Sequence, residues 1–292
     1  MGQESPMGLS LQDLLSTAEL LPSASTRRFY RTEKGVVLTG SKVQINEYLT
    51  YHKLLSDLDI PRIIEIHDDY LLLEDLGSDR LEVIEDPPYG LVIEELIKWQ
   101  KATGGKKDSL ETFGYSHLKW EYQYFLEYAL RRFFKVEPPD SLIEELEGLV
   151  RQVDKLPKVL MHRDFQSRNI FIMDGKVRII DFQNAMLGPA SYDLASLLFD
   201  PYRPIRTERA LGLLEYYNSL SDIKVSKRDL FETATQRLLQ SLGAYAFLIL
   251  IRGLDYTRYL KVGIGMVSKI IVYNPMPMIG MVIGSLSQGQ PC

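Results

Sequence analysis

The sequence predicts an α+β fold with two lobes: a small first lobe that carries a β-sheet and a larger, mostly helical second lobe. Up to residue 77, short runs rich in Val, Ile and Leu alternate with helical patterns. From residue 91 onwards, apolar residues recur mainly at helical spacing, interrupted by short strands between 158 and 180. We therefore assign residues 1–77 to the first lobe and 78–292 to the second, and expect a cleft between them.

The first lobe is predicted to contain a helix, two strands, a second helix and two more strands. Residues 9–21 have helical apolar spacing and stop at Pro22. The segments RRFYRT and VVLTG flank a turn that contains Gly35, which is typical of a hairpin. A helical pattern follows at 45–58, and the last two strands are RIIEIHDD and YLLLEDLG.

In the second lobe, the spacing predicts helices at 91–103, 117–135 and 140–155 and further helices from 191 to about 270. Between them, KVLM, NIFIM and KVRII read as strands, and Asp174-Gly175 is typical of a tight hairpin turn between the last two.

Composition and charge favour a cytoplasmic protein that is not a dedicated nucleic-acid binder. The net charge of −5 argues against a dedicated nucleic-acid binder. The only cysteine is Cys292, so no disulfide can form within the chain. We see no secretory leader, and the longest apolar run, 244–251, is too short to cross a membrane. Nothing in the sequence indicates an oligomeric state.

The segment MHRDFQSRNIFIMDGKVRIIDFQNA, residues 161–185, places polar residues at the ends of predicted buried strands. The hairpin is expected to bring Asp164, Asn169 and Asp181 together. Two carboxylates and an amide oxygen are hard ligands suited to Mg²⁺, which usually keeps waters and substrate phosphates as its other ligands. The segment therefore predicts magnesium-dependent nucleotide chemistry.

The spacing also matches a catalytic template. His162-Arg163-Asp164 followed by Asn169 has the form H-R-D-x-x-x-x-N, and Asp181-Phe182 stands where a metal-binding Asp-Phe pair follows. In that template the first Asp accepts the proton of the attacking hydroxyl. Asp and Asn also favour turns for structural reasons alone, so the whole pattern, rather than Asp164 by itself, carries the prediction. We interpret His162 as a core histidine.

The chain resembles the aminoglycoside phosphotransferase/choline kinase superfamily, which implies a bilobal protein-kinase-like fold. Within it, the chain is most similar to bacterial kinases that phosphorylate the anomeric hydroxyl of N-acetylmuramate and N-acetylglucosamine. The resemblance rests on five segments: STRRFYR (25–31), LLLEDLG (71–77), MHRDFQSRNI (161–170), IDFQNAMLGPASYDLASLL (180–198) and LQSLGAYAFL (239–248).

The resemblance implies that ATP binds to the first lobe, with backbone groups near Glu74 and Leu76 taking the adenine. Two departures stand out: the phosphate loop has no glycine, and the strand VVLTG lacks the lysine that contacts the phosphates. We expect arginine to supply that charge, since its guanidinium suits phosphate. The predicted phosphate-binding residues are Ser23, Ser25, Thr26, Arg27 and Arg28, with Arg31 as a further candidate.

The resemblance places the acceptor on the second lobe. Gln166, Arg168, Gln183 and Asn184 flank the catalytic residues and are predicted to bind a hydroxyl-rich sugar, with Glu121 as a further contact. Asp193 resembles the structural aspartate that braces the catalytic loop. Helix packing is the alternative role for Glu121 and the aromatic residues around it.

The sequence thus predicts an ATP- and Mg²⁺-dependent sugar kinase, with the anomeric hydroxyl of an N-acetylated amino sugar as acceptor. Two alternatives remain: a kinase for an aminoglycoside or a choline-like acceptor, and an inactive kinase fold that only binds a nucleotide. Residues 256–292 contain no Asp or Glu, which disfavours a polycationic aminoglycoside. The intact set of Asp164, Asn169 and Asp181 disfavours the inactive fold.

Overall fold

The structure is a computed structural model, and it describes residues 11–21 and 27–287. The chain divides into two compact units. The first comprises the described residues up to Asp79 together with 171–183, and the second comprises Arg80–Ile170 and the described residues from Asn184 onwards. The sequence-based boundary after residue 77 lies two residues before this division, and it placed 171–183 with the later residues.

Backbone hydrogen bonds explain why 171–183 belongs to the first unit. The Ile172 N–H donates to the Asp79 carbonyl at 2.9 Å, and the Ile179 N–H donates to the Asp59 carbonyl at 3.0 Å. Such long-range pairings cannot be deduced from local apolar spacing.

The first unit contains a five-stranded antiparallel sheet in the order β1-β2-β3-β5-β4. Its strands are β1 (Glu19–Leu21), β2 (Arg28–Thr32), β3 (Gly35–Thr39), β4 (Ile63–Ile66) and β5 (Tyr70–Leu73). Helix α1 (Leu11–Leu15) packs against the sheet through Leu14, which joins Val37 and Leu72 in a buried cluster. Helix α2 (Lys42–Leu54) starts with a capping box formed by Ser41 and Gln44.

The predicted helix at 9–21 is wrong in its second half. The helix ends at Leu15, and Glu19–Leu21 forms strand β1. This segment pairs with β2 through the register Glu19 with Arg31 and Leu21 with Phe29. Tertiary pairing with the sheet has overridden the local helical spacing.

The predicted hairpin at Asp174-Gly175 is confirmed. It joins β7 (Ile170–Met173) to β8 (Lys176–Ile179) in a two-stranded sheet. Both turn residues have positive φ, 51° at Asp174 and 72° at Gly175, as the favoured two-residue hairpin turn requires.

The second unit is mostly helical, with a two-stranded antiparallel sheet of β6 (Lys158–Met161) and β9 (Met186–Pro189). Its predicted helices are confirmed with small shifts at their ends. They are α3 (Tyr89–Lys101), α4 (Tyr115–Tyr124), α5 (Asp140–Asp154), α6 (Ala190–Leu198), α7 (Thr207–Leu220), α8 (Lys227–Arg252) and α9 (Thr257–Tyr273). A further helix that the sequence did not predict, α10, spans Pro277–Ser287. Short 3-10 turns occur at Ala102–Gly105, Lys107–Ser109 and Phe182–Asn184.

Helix α8 is the longest, at 26 residues, and many of its side chains are buried. It begins with a capping box of Ser226 and Asp229 and ends at Gly253, which has a φ of 66°. Helix α4 continues directly into a π-helical segment, Phe125–Phe134, and α8 packs against this junction. A Cβ atom on Gly243 would lie 2.9 Å from the Phe125 nitrogen, so the close approach of the two helices requires glycine there.

Over residues 11–21 and 27–287, none of the helices combines the length and the apolar character needed to cross a membrane.

Candidate active site

The catalytic loop predicted from the sequence lies in the second unit, between β6 and β7. Its start is held by Asp193 on α6, whose carboxylate accepts the His162 N–H at 2.6 Å and the Arg163 N–H at 3.0 Å. Arg163 has a φ of 76°, a conformation that non-glycine residues rarely adopt. Burial raises the pKa of Asp193 to about 6, although the positive neighbours and the two N–H donors oppose that shift. Asp193 thus fixes an unusual backbone turn immediately before Asp164.

The side chain of His162 is fully buried and packs at the edge of Trp99, with 5.3 Å between the ring centroids. Its Nδ1 accepts the Asp164 N–H at 3.3 Å. These contacts give His162 a role inside the loop, consistent with its interpretation as a core histidine.

The structure brings Asp164 and Asn169 together within the second unit. The Asn169 Nδ2 donates to the Asp164 carbonyl at 2.9 Å and to the Asp164 Oδ2 at 3.0 Å. This contact orients the Asp164 carboxylate, and it leaves the Asn169 amide oxygen as the group that could ligate a cation. The side chain of Asp164 is 46% exposed, so a proton acceptor is accessible at this position.

A buried arginine that sequence reasoning missed contacts the same carboxylate. Arg237 on α8 is only 12% exposed, and its Nη2 lies 3.3 Å from the Asp164 Oδ1. Its Nε donates to the Ser196 hydroxyl at 3.0 Å, and its Nη1 donates to the Gln240 Oε1 at 2.7 Å. The hint that the sequence contained is the place of Arg237 in a predicted helix, within a stretch whose other residues are mostly buried. Apolar spacing alone does not show that such an arginine is buried.

Glu121 belongs to this buried network, not to an open acceptor surface. Its carboxylate accepts hydrogen bonds from the Tyr192 hydroxyl and from the Gln236 Nε2, and the Arg237 Nη1 lies 3.3 Å from the Tyr192 hydroxyl. Glu121 is 3% exposed, and burial raises its pKa. The geometry therefore favours the packing alternative that the sequence left open for Glu121.

We expect Arg237→Met to lower the free energy of unfolding by about 1–3 kcal/mol, because it leaves buried acceptors without their donor. Chemical denaturation followed by circular dichroism measures this loss. The matched control is Arg252→Met in the last turn of the same helix, where the arginine is exposed. That control is expected to change stability by less than about 0.5 kcal/mol. Equal losses in the two variants would contradict the role given to Arg237.

Arg168, predicted to bind the acceptor, is held by groups of the second unit. Its Nε lies 3.1 Å from both carboxylate oxygens of Glu82, and its Nη2 donates to the Tyr259 hydroxyl at 2.7 Å. The guanidinium stacks on the Tyr202 ring, with 3.8 Å between its central carbon and the ring centroid. An aromatic cluster beside the catalytic loop is therefore already occupied by a cation of the chain.

Gln166 also acts within the loop. Its side-chain oxygen accepts the Arg168 N–H at 2.9 Å, and its carbonyl accepts the Asn169 N–H at 2.9 Å. These bonds close the turn that sets Asn169 opposite Asp164, and the Gln166 amide group remains as the part that could contact an acceptor. Asn184 is exposed in the second unit.

Asp181 lies in the first unit, directly after β8. It has a φ of 66°, so a second residue of the motif adopts the left-handed conformation that concentrates at functional sites. Gln183, predicted to bind acceptor, instead donates from its Nε2 to the Asp181 Oδ1. The second carboxylate oxygen, Oδ2, is left for a cation.

Tyr48 is a buried residue of α2 that sequence reasoning missed, and the charges of Arg27 and Asp181 both act on the pKa of its hydroxyl. Burial raises the pKa of Tyr48, Arg27 lowers it and Asp181 raises it. The centroids of the Tyr48 and Phe182 rings lie 5.0 Å apart. Arg27, itself buried, and the candidate metal ligand Asp181 thus have opposite effects on the pKa of one buried hydroxyl of the first unit.

The two other arginines that were predicted as phosphate ligands, Arg28 and Arg31, are less buried than Arg27. Arg28 is exposed at the start of β2. Arg31 pairs with Asp75, with 2.8 Å between its Nε and the Asp75 Oδ2, and its Nη2 donates to the Gly77 carbonyl at 2.7 Å. Arg31 therefore holds the segment after β5. Ser23, Ser25 and Thr26 lie outside the described residues.

The segment predicted to take adenine follows β5. Its Glu74 side chain pairs with Arg178 on β8 and accepts the Arg62 N–H at 3.0 Å. Burial opposes ionisation of Glu74, but the hydrogen bonds from Arg62 and Arg178 outweigh it and lower the pKa. Leu76 is buried. Glu74 thus ties this segment to the strand that leads to Asp181, and any contact with a base would come from the backbone.

The arrangement of a small antiparallel sheet unit, a helical unit and an H-R-D-x-x-x-x-N loop defines a protein-kinase-like fold. Solved structures share it: the choline kinase LicA from Streptococcus pneumoniae has a TM-score of 0.63 at 15% identity, with 88% of this chain and 92% of that chain covered. The AMP-bound spectinomycin phosphotransferase APH(9)-Ia has a TM-score of 0.64 at 14% identity, with 90% and 95% covered.

The chain belongs to the phosphotransferase enzyme family, whose model matches residues 23–225. Two curated relatives are named N-acetylmuramate/N-acetylglucosamine kinase. The protein from Neisseria meningitidis is 29% identical over 191 residues, which cover 60% of this chain and 57% of the relative. The protein from Pseudomonas aeruginosa is 29% identical over 207 residues, which cover 63% and 61%. The chain therefore spans about three fifths of the length of these two relatives.

Proposed function

We propose that this protein is an ATP- and Mg²⁺-dependent kinase that phosphorylates the anomeric hydroxyl of N-acetylmuramate or N-acetylglucosamine. The observation that carries the proposal is the loop geometry, in which Asn169 and Arg237 orient an accessible Asp164 carboxylate. The names of the two relatives support the choice of sugar, and family membership supports phosphoryl transfer.

In this mechanism the acceptor sugar binds to the second unit with its anomeric hydroxyl against Asp164. Asp164 accepts the proton as the sugar oxygen attacks the γ-phosphorus of ATP. The new bond joins the sugar oxygen to phosphorus, and the bond to the bridging oxygen breaks, so ADP leaves with that electron pair. Arg237 and Asn169 keep the carboxylate in place throughout.

Magnesium is proposed from the chemistry of the candidate ligands, Asn169 in the second unit and Asp181 in the first. Mg²⁺ prefers oxygen ligands, and the two candidate positions offer the Asn169 amide oxygen and the Asp181 Oδ2. When bound, the ion would neutralise the charge that develops on the transferred phosphoryl group. Arg27 is our candidate for the cation that replaces the missing β3 lysine, since it is buried in the first unit at the start of the predicted phosphate-binding strand.

Charge and aromatic packing disfavour a cationic acceptor. A quaternary ammonium needs an open aromatic cage, yet Arg168 already stacks on Tyr202 and Tyr259 beside the catalytic loop. A polycationic aminoglycoside would need acidic surroundings. The cavity next to this loop instead presents four arginines, namely Arg203, Arg206, Arg209 and Arg258.

An acceptor screen tests the proposal. We expect ADP release with N-acetylmuramate and N-acetylglucosamine, and little release with glucosamine, choline or kanamycin. The product should be a 1-phosphate, recognised by its acid lability and by phosphorus coupling to the anomeric proton in NMR spectra. A 6-phosphate would refute the anomeric assignment, and turnover with choline or kanamycin alone would refute the sugar assignment.

A further inference from the structure

A cavity of about 510 Å³ lies in the second unit, next to the catalytic loop. This volume is in the range of small-molecule sites. Its walls come from the segment before α3, the start of α3, the segment between α6 and α7, the start of α7 and the start of α9.

The cavity is lined by more positive than negative charge. Four arginines face it, against the two carboxylates of Glu82 and Glu85. Glu82 is neutralised by its ion pair with Arg168. Within the described part of the chain, Arg206, Arg209 and Arg258 form no ion pair with a carboxylate, so their charge is available to a ligand.

Two helix N-termini also lie at the cavity, and the first turn of α7 carries one carboxylate, that of Glu208. Helix α3 begins at Tyr89 and α7 begins at Thr207, and neither has a side-chain cap on its first N–H groups. Uncapped N–H groups at a helix start favour anions. The helices are 13 and 14 residues long, so each has a developed dipole.

The cavity is also held in shape. Arg203 donates from Nη1 to the Glu82 carbonyl at 2.8 Å and from Nη2 to the Glu85 carbonyl at 3.0 Å. The guanidinium of Arg209 lies over the Tyr89 ring, 5.2 Å from its centroid. Arg203 therefore shapes the wall, whereas Arg206 and Arg258 are exposed and can reach a ligand.

The cavity is close to the proposed reaction centre. Tyr202 lines it and stacks on Arg168, which lies four residues after Asp164 in the compact loop. The Asp164 carboxylate also contributes to the raised pKa of the Tyr202 hydroxyl, for which burial is the largest cause. Tyr202 and Glu82 thus both line the cavity and contact Arg168 of the loop.

From these observations we infer that the cavity binds the carboxylate of an acidic acceptor sugar, through Arg206 and Arg258 and the uncapped start of α7. The inference rests on the proposed function and assigns a specificity site to it. N-acetylmuramate and N-acetylglucosamine are a matched pair, since the first is the second with a lactyl ether that carries one carboxylate. We therefore expect the protein to prefer the acidic sugar, and we expect this preference to depend on Arg206 and Arg258.

The test compares both sugars in the wild type, in Arg206→Gln, in Arg258→Gln and in the double variant. Each single change is expected to raise KM for N-acetylmuramate by about 10- to 150-fold, as expected for losing a hydrogen bond to a charged group. KM for N-acetylglucosamine should change by less than about twofold. The control is Arg151→Gln on α5, an exposed arginine outside the cavity, which should affect neither sugar.

Equal changes for both sugars, or no change for either, would overturn the inference. Calorimetry without ATP gives an independent readout. The wild type should bind N-acetylmuramate more tightly than N-acetylglucosamine, and the double variant should lose this difference. If the difference persists but no sugar is phosphorylated, the proposed function fails while the site stands. If inorganic phosphate or free lactate binds through these arginines and N-acetylmuramate does not, the cavity serves a separate anion and the inference is wrong.

Discussion

Asp164→Asn is expected to lower kcat by about 10²- to 10⁴-fold, the usual contribution of a positioned general base. The amide has nearly the shape of the carboxylate but cannot accept the proton of the sugar hydroxyl. Initial rates of ADP release give kcat, and calorimetry with a non-hydrolysable ATP analogue should show unchanged nucleotide affinity, because Asp164 is assigned no phosphate contact. An anomeric hydroxyl is more acidic than an ordinary alcohol, so a residual rate is expected.

The matched control is Asp174→Asn, the same chemical change at an exposed turn residue with a φ of 51°. Asparagine tolerates that conformation, so both activity and stability should stay at the wild-type level. Turnover of Asp164→Asn at the wild-type rate would refute the role assigned to the loop.

Asp181→Asn is expected to reduce turnover on the order of 100-fold or more, because it removes a negative oxygen ligand at the centre of charge development. The Mg²⁺ concentration needed for half-maximal activity should rise in the same variant. In the wild type, EDTA should stop ADP release and added Mg²⁺ should restore it. Full turnover of Asp181→Asn at low Mg²⁺ would disprove the metal assignment.

The sequence predicted the fold class and most helices, because apolar spacing reports burial directly. It failed at Glu19–Leu21, where pairing with β2 decides the conformation, and at 171–183, where bonds to Asp59 and Asp79 decide the grouping. Local apolar spacing carries no information about a distant hydrogen-bond partner. Such errors are therefore expected wherever a distant segment supplies the hydrogen bonds.

The candidate site was predicted in part. Motif spacing identified Asp164 and Asn169, which the structure places in contact. It also suggested acceptor roles for Glu121 and Gln183, whose side chains are instead engaged with Tyr192 and Asp181. A polar side chain next to a catalytic residue can either bind a ligand or hold another protein group in place. The sequence does not distinguish these roles, because both need hydrogen-bonding groups.

Arg237 was missed for a related reason. Its function depends on the proximity of α8 to the catalytic loop, and no motif joins positions separated by 73 residues. The helix itself was predictable, but the residue on it that faces Asp164 was not. Side-chain contacts between distant segments are the part of a site that requires coordinates.

The absence of a side chain at Gly243 has a consequence for catalysis. Gly243 lies six positions after Arg237 on α8, which is about 9 Å along the helix axis. A methyl group at 243 would meet the backbone of Tyr124 and Phe125, so α8 would have to move away from that helix. Arg237 would move with it, and its reach to Asp164 would lengthen. We therefore expect the rate of the proposed phosphoryl transfer to fall when atomic volume is added at position 243, and random mutagenesis for lost activity should recover substitutions of Gly243.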